Sequence, residues 1–270
     1  MRHIDLATKL PEIFADVDGA ALKERLVRAK RKLGRGGLVD PIKYTRKNGP
    51  NKWSPIKDKL TQTLGNKCWY TEVEVTGMPL HVDHFRPIFH YLWLAYEPEN
   101  YRVSCHFANS STFNPTQGCV GGKCEEFPLL QPRLRANDSA GLVNELPVIL
   151  DPCIASDCKL VAFRSDGLPI VNPAFEHDQV SVSRVEQSKI LLNLDHPDFN
   201  SKREQLCNNI TADVNAFEEL PLNSPSREVI RSRLKQRLSS KAPFSSAARY
   251  YLCLHREFDW VDSLLQEPAI

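Results

Sequence analysis

Apolar residues recur at helical spacing near the start of the chain: Leu6, Leu10, Ile13 and Phe14, then Leu22, Leu26 and Leu33. The pattern predicts helix over 5–33, with Pro11 at a first turn or a break and Gly34, Gly36 and Gly37 as the stop. Residues 38–54, with Pro41 and Pro50, read as an irregular linker, and a short helix is expected from Pro55 to about Leu64, capped by Ser54. The period then changes. From Lys67 to Val75 the residues Trp69, Thr71, Val73 and Val75 fall on one face. That alternation predicts a strand, turning at Thr76–Pro79 and returning as Leu80–Phe85. A helix is expected from about Pro98 to Asn109. Further on, Lys159–Phe163 and Leu168–Val171 flank Ser165-Asp166-Gly167 and read as a second hairpin. Helical segments follow at Ser183–Leu194, Pro197–Ala216, Ser226–Leu238 and Ser245–Leu265.

These elements give an α+β class. The expected organisation is an N-terminal helical region over 1–66, a hairpin-plus-helix core over 67–147, and a mostly helical region with a small hairpin over 148–270. The composition shift near residue 148 is weak.

Composition adds three constraints. Hydrophobic residues make up 41% and charged residues 25%, so the chain can bury a core. The net charge is only +2, but Lys23, Arg25, Arg28, Lys30, Arg31, Lys32 and Arg35 form one basic run. Arg227, Arg231, Arg233, Lys235, Arg237 and Lys241 form another. Each is either a phosphate-binding stripe or a solvated helix face. No secretory leader and no membrane span are expected, so the chain reads as cytoplasmic, with its eight cysteines as thiols or metal ligands.

The chemistry concentrates between Cys68 and Pro128. Phosphodiester hydrolysis needs a base for water, a cation to neutralise charge, and ligands for that cation. Asp83 offers oxygen to a hard cation such as Mg²⁺ or Mn²⁺, and His84 beside it is suited to serve as base. Strict alternation sends these two side chains to opposite faces, so the strand must bend or end there. Pro87 is consistent with that. Asn100 follows, and Asn109 lies nine residues later.

Asp83-His84, Asn100 and Asn109 at this spacing resemble the HNH nuclease motif. The words CWYTE, VDHFRP, WLAYEPENYRVSC, GGKCEEFPLL, ILDPC, LLNLDHPDF and PFSSAARYYL resemble one branch of it, the HNH proteins of retron and ATPase-paired Septu anti-phage systems. The resemblance spans about Trp53 to Leu252. It implies His84 as general base, Asp83 and Asn109 as metal ligands, and Asn100 as the residue that orients the His84 loop. It also implies a nucleic-acid substrate (DNA or RNA) and an ATPase partner protein, with a homodimer left open. Lys123 sits where that family often has a phosphate-contacting base, while Arg86 either approaches phosphate or pairs with a carboxylate. Many HNH proteins carry two Cys-x-x-Cys pairs around a structural zinc. Here Thr71 and Ala108 replace the second member of each pair, so a structural zinc is not expected unless Cys119 and Cys124 complete a set with Cys68 and Cys105. The expectation is therefore a divalent-metal HNH endonuclease acting in defence. Its rivals are a catalytically degenerate nucleic-acid-binding or adaptor subunit and a standalone restriction-type enzyme.

Overall fold

The computed structural model describes residues 1–36, 38–74, 77 and 79–267. The N-terminal helical pattern resolves into α1 (Leu6–Ile13) and α2 (Val17–Gly34), each opened by an aspartate side chain, Asp5 and Asp16, that accepts from a first-turn amide. Leu6, Leu10 and Ile13 of α1 are buried, as are Leu22 and Leu26 of α2. The expected linker is instead helical: α3 (Pro41–Asn48), capped by Asp40, and α4 (Pro50–Trp53). Proline lacks an amide hydrogen, but the first helical position needs none, so Pro41 and Pro50 start helices where they read as breakers. α5 (Ile56–Leu64) follows as expected, except that Ser54 is the C-cap of α4 and Pro55 stands at the N-cap of α5.

The first hairpin differs from the expectation. Residues 67–74 form a tight turn, in which Cys68 N donates to Val73 O and Glu72 N to Cys68 O. Residues 76 and 78 of the expected turn at Thr76–Pro79 lie outside the described residues. β1 (His81–His84) pairs antiparallel with β2 (Tyr101–Ser104), with His84 opposite Tyr101 and Asp83 opposite Arg102. The predicted helix over 98–109 is thus a 3₁₀ turn at Pro98–Asn100, then β2, then the one-turn α6 (His106–Asn109). All four β2 residues are buried. A strand buried on both faces carries no alternation, and Arg102 is tolerated there because Asp151 meets it with two bonds of 2.7 Å.

A small hairpin, β3 (Thr112–Asn114) with β4 (Cys119–Gly121), leads toward α7 (Ala155–Cys158). The second predicted hairpin is present as β5 (Val161–Phe163) and β6 (Pro169–Val171) around the Ser165-Asp166-Gly167 turn. Then come α8 (Gln179–Leu191), α9 (Pro197–Glu219) and α10 (Pro225–Leu238). The expected last helix is split into α11 (Ser245–Cys253) and α12 (Asp259–Gln266). α9, α10 and α11 pack on one another, and α11 also covers β5.

The architecture is α+β, with short antiparallel sheets among helices. One buried apolar cluster draws residues from Met1 through Leu265. The two ends meet at the 67–74 turn. There the buried Lys67 ammonium donates to Glu72 at 3.2 Å, to Ala242 O at 2.7 Å and to Ser245 Oγ at 3.1 Å. Ser245 Oγ itself donates to Glu72 at 2.9 Å, so the carboxylate ties the turn to the start of α11. Among the described residues no helix is long and apolar enough to cross a membrane.

Candidate active site

β1 ends at His84, and the chain bends at once through Phe85 and Arg86. Asn100 fixes that bend. Its Oδ1 accepts from Arg86 N and its Nδ2 donates to Arg86 O, both at 2.9 Å, while Phe85 N donates to Asn100 O at 2.8 Å. A buried carboxamide satisfying both backbone groups of one residue is a two-point clamp on the segment that leaves His84.

The imidazole of His84 is buried. Its Nε2 lies 2.9 Å from Ala95 O. A carbonyl oxygen can only accept, so Nε2 carries the proton and Nδ1 keeps its lone pair. Nδ1 has no hydrogen-bond partner among the described residues. The ring is walled by Trp53, edge-on at 4.6 Å, and by Tyr101 at 5.1 Å. Trp53 in turn lies over Gly49, where an added Cβ would come within 2.0 Å of the indole, so the helix junction beneath this wall needs the bare backbone of glycine.

Burial pushes the His84 pKa down to about 4, with Lys123 adding to the depression and Ala95 O and Asp83 opposing it. The sign of the consequence is fixed. Between the ordinary value of 6.5 and about 4, the unfolded chain takes up a proton that the folded chain declines. Stability should therefore be lost as pH falls through that window, by up to about 3 kcal/mol, and be unaffected by this residue above it. Urea melts of metal-free protein at pH 7 and pH 4.5 check this. The drop should shrink in His84→Gln, and parallel pH profiles for the two proteins would refute the burial.

Asp83 points away from His84, as alternation requires. Its Oδ2 accepts from Tyr70 Oη at 2.7 Å and its Oδ1 from Lys123 Nζ at 3.0 Å. The same ammonium donates to His84 O at 2.7 Å. Burial and the Asp83 charge hold the Tyr70 phenol protonated, so it remains a donor. Lys123 gets there because Lys123 N bonds Ala108 O at the end of α6, and because the preceding Gly122 adopts φ 102°. A side chain at 122 would meet Ser110 O at 1.9 Å.

α6 packs against β1 and carries Asn109 at its last position. Asn109 is half-buried, its backbone O accepts from Cys124 N at 3.0 Å, and its carboxamide has no partner among the described residues. Asp83 and Asn109 are hard oxygen donors, and a carboxylate accepting two bonds retains lone-pair capacity. This donor chemistry fits Mg²⁺ or Mn²⁺, which keep several waters and need few protein ligands. The Lys123 ammonium is the competing positive charge at the same carboxylate.

Two sequence expectations change here. Lys123, expected as a phosphate contact, has a side chain that is 0% exposed and donates to Asp83 and His84 O. Arg86 takes the other of its two alternatives, pairing with Glu145 at 2.7 Å, where Tyr91 and the Ala136 amide also donate.

The alternative zinc set is not assembled. Cys68 and Cys105 are buried side by side, with Thr71 Oγ1 3.9 Å from the Cys105 sulfur and Ala108 buried beyond. Cys119 lies on β4, and Cys124 is exposed and 3.3 Å from Ser111 Oγ. Among the described residues no three His, Cys, Asp or Glu side chains gather as a metal set. Thr71 and Ala108 bring a hydroxyl and a methyl where the resemblance would want two further thiolates.

Sequence reasoning missed three contributors. Tyr70 lay inside the recognised CWYTE word and was passed over. Trp53 and the Ala95 carbonyl gave no local signal, because each reaches His84 only through the fold. Comparison with known proteins adds no relative: no family model and no curated protein matches the chain.

Proposed function

We propose that the chain is a metal-dependent endonuclease of the HNH type, cleaving phosphodiester bonds of nucleic acid. The observation that carries this reading is the unit β1–loop–β2–α6. In it one buried histidine keeps an unshared lone pair, its loop is clamped by Asn100, and two hard oxygen donors, Asp83 on β1 and Asn109 on the α6 that packs against it, stand on the same unit. In the proposed reaction His84 Nδ1 takes the proton from the attacking water. A scissile phosphate brings negative charge near the ring, which raises the imidazole toward the range useful to a general base. Asn100 holds the loop so that the ring stays aimed. Asp83 and Asn109 would hold the divalent cation, which when bound would supply neutralisation of the charge on the phosphate and leaving oxygen. The resemblance of the sequence words further supports a role as effector of an anti-phage system, partnered by an ATPase.

A binding or adaptor module is the second reading, and Lys123 is the observation that favours it, because an ammonium already balances Asp83. Supercoiled plasmid and total tRNA incubated with Mg²⁺, Mn²⁺ or chelator, with and without the partner ATPase, separate the two. The nuclease reading expects cutting that vanishes with chelator and in Asp83→Asn. No cutting of either substrate under any condition, by folded protein, would establish the adaptor.

A further inference from the structure

The two basic runs have different surroundings. On α10 the charges are answered by the chain's own acids: Arg231 and Lys235 pair with Glu267, and Arg233 and Arg237 with Asp213. On α2 Lys30 is answered by Glu97, but the cations on the side that faces α3 and α4 are not answered in this way. Arg25, Arg28 and Lys32 of α2 face Tyr44 and Asn48 of α3 and Lys52 of α4 across a groove of about 380 Å³, and no carboxylate lines it. Arg28 has only the solvent-exposed Glu24 at 3.6 Å, and Lys32 sits 5.0 Å over the Tyr44 ring. Arg25 and Lys52 have no ion partner among the described residues. The end of the groove is Tyr96, whose ring is 5.7 Å from Trp53, the same ring that stands 4.6 Å from His84.

We infer that this α2–α3–α4 groove binds the phosphodiester backbone of the nucleic acid whose scissile phosphate is presented to His84. Four cations in a groove whose lining has no carboxylate, only Arg28 touching an exposed acid outside it, form a site that repays release of counterions from a polyanion. Tyr96 of the groove lies two ring contacts from the base, and a strand advances about 3.4 Å per nucleotide along a duplex axis, so one bound segment a few nucleotides long is long enough to meet both. The tyrosines and the Asn48 carboxamide add polar and stacking surface to a track that charge alone defines. Sequence selectivity is not expected of it. The identity of the strand presented to His84 rests on the nuclease reading, whereas binding in the groove does not.

The test measures binding in chelator, where no cutting occurs, to a short DNA duplex, to tRNA and to vesicles of anionic lipid, over a range of salt. Arg25→Ala/Lys52→Ala is compared with Arg231→Ala/Lys235→Ala, which removes the same charge from the α10 run. Each lost phosphate contact should lower affinity about fivefold at 0.15 M salt and flatten the log–log salt slope by about 0.9, so the groove variant should bind about thirtyfold more weakly with a slope reduced by roughly two. The α10 variant should bind like the wild type. Whether DNA or tRNA loses more names the source of the backbone. Equal affinities for the two variants, no binding of either nucleic acid by the wild type, or binding to vesicles alone would overturn the inference. Groove-dependent binding without metal-dependent cutting would instead overturn the nuclease reading and leave the groove standing.

Discussion

Replacing His84 with alanine should lower cleavage by about 10²–10⁴-fold, the usual contribution of a positioned general base. The affinity for nucleic acid should be almost unchanged, because the charges that hold the backbone lie on other elements. The ring fills a slot between Trp53 and Tyr101, so its loss also leaves a hole, and a merely structural histidine would give some loss as well. Added imidazole separates the two cases. A small base entering the slot should restore part of the cleavage rate of His84→Ala without shifting its urea midpoint. Cleavage retained in folded His84→Ala would remove His84 from the chemistry altogether.

Lys123→Ala should destabilise the protein by about 3–5 kcal/mol, since it leaves the Asp83 carboxylate buried without its cation. The His84 carbonyl loses its donor in the same step. Pairing the change with Asp83→Asn should recover much of the loss, because the uncompensated charge and not the missing methylenes dominates it. Urea denaturation of the two single variants and the double variant closes the cycle. Additive losses would mean that the ammonium and the carboxylate do not depend on each other. Mg²⁺ should stabilise Lys123→Ala more than it stabilises the wild type, because a divalent cation at Asp83 then meets no competing charge.

What could be read from the sequence was what is local. The β5–β6 hairpin announced itself through Ser165-Asp166-Gly167, α9 was legible from Pro197 onward, and α10 was expected from Ser226, one residue after the proline that opens it. The DH pair and the two asparagines were also visible as a spacing. The partner of β1 was not, because β1 pairs with β2 across residues 85–100 and not with the neighbouring 67–75 segment. β2 itself was hidden by Arg102, whose neutralising Asp151 stands 49 positions away. The burial of Lys123 was hidden for the same reason. A lysine is ordinarily a surface residue, and the carboxylate and carbonyl that bury this one arrive from 40 and 39 positions upstream. In each case a charged side chain looked exposed until its long-range counterion was known.

Trp53 belongs to the N-terminal helices by chain and to His84 by contact. Glu72 likewise belongs to the turn before β1 and is held by Ser245 at the start of α11. A cassette cut at residues 67 and 147 would therefore carry the histidine without its aromatic wall and the turn without its hydroxyl. The site cannot be inherited as a portable insert. Recombination with a distant relative should be tolerated only at crossovers outside the stretch from Gly49 to Ser246, and homologous halves exchanged within it should yield chains that fold poorly before any question of catalysis arises.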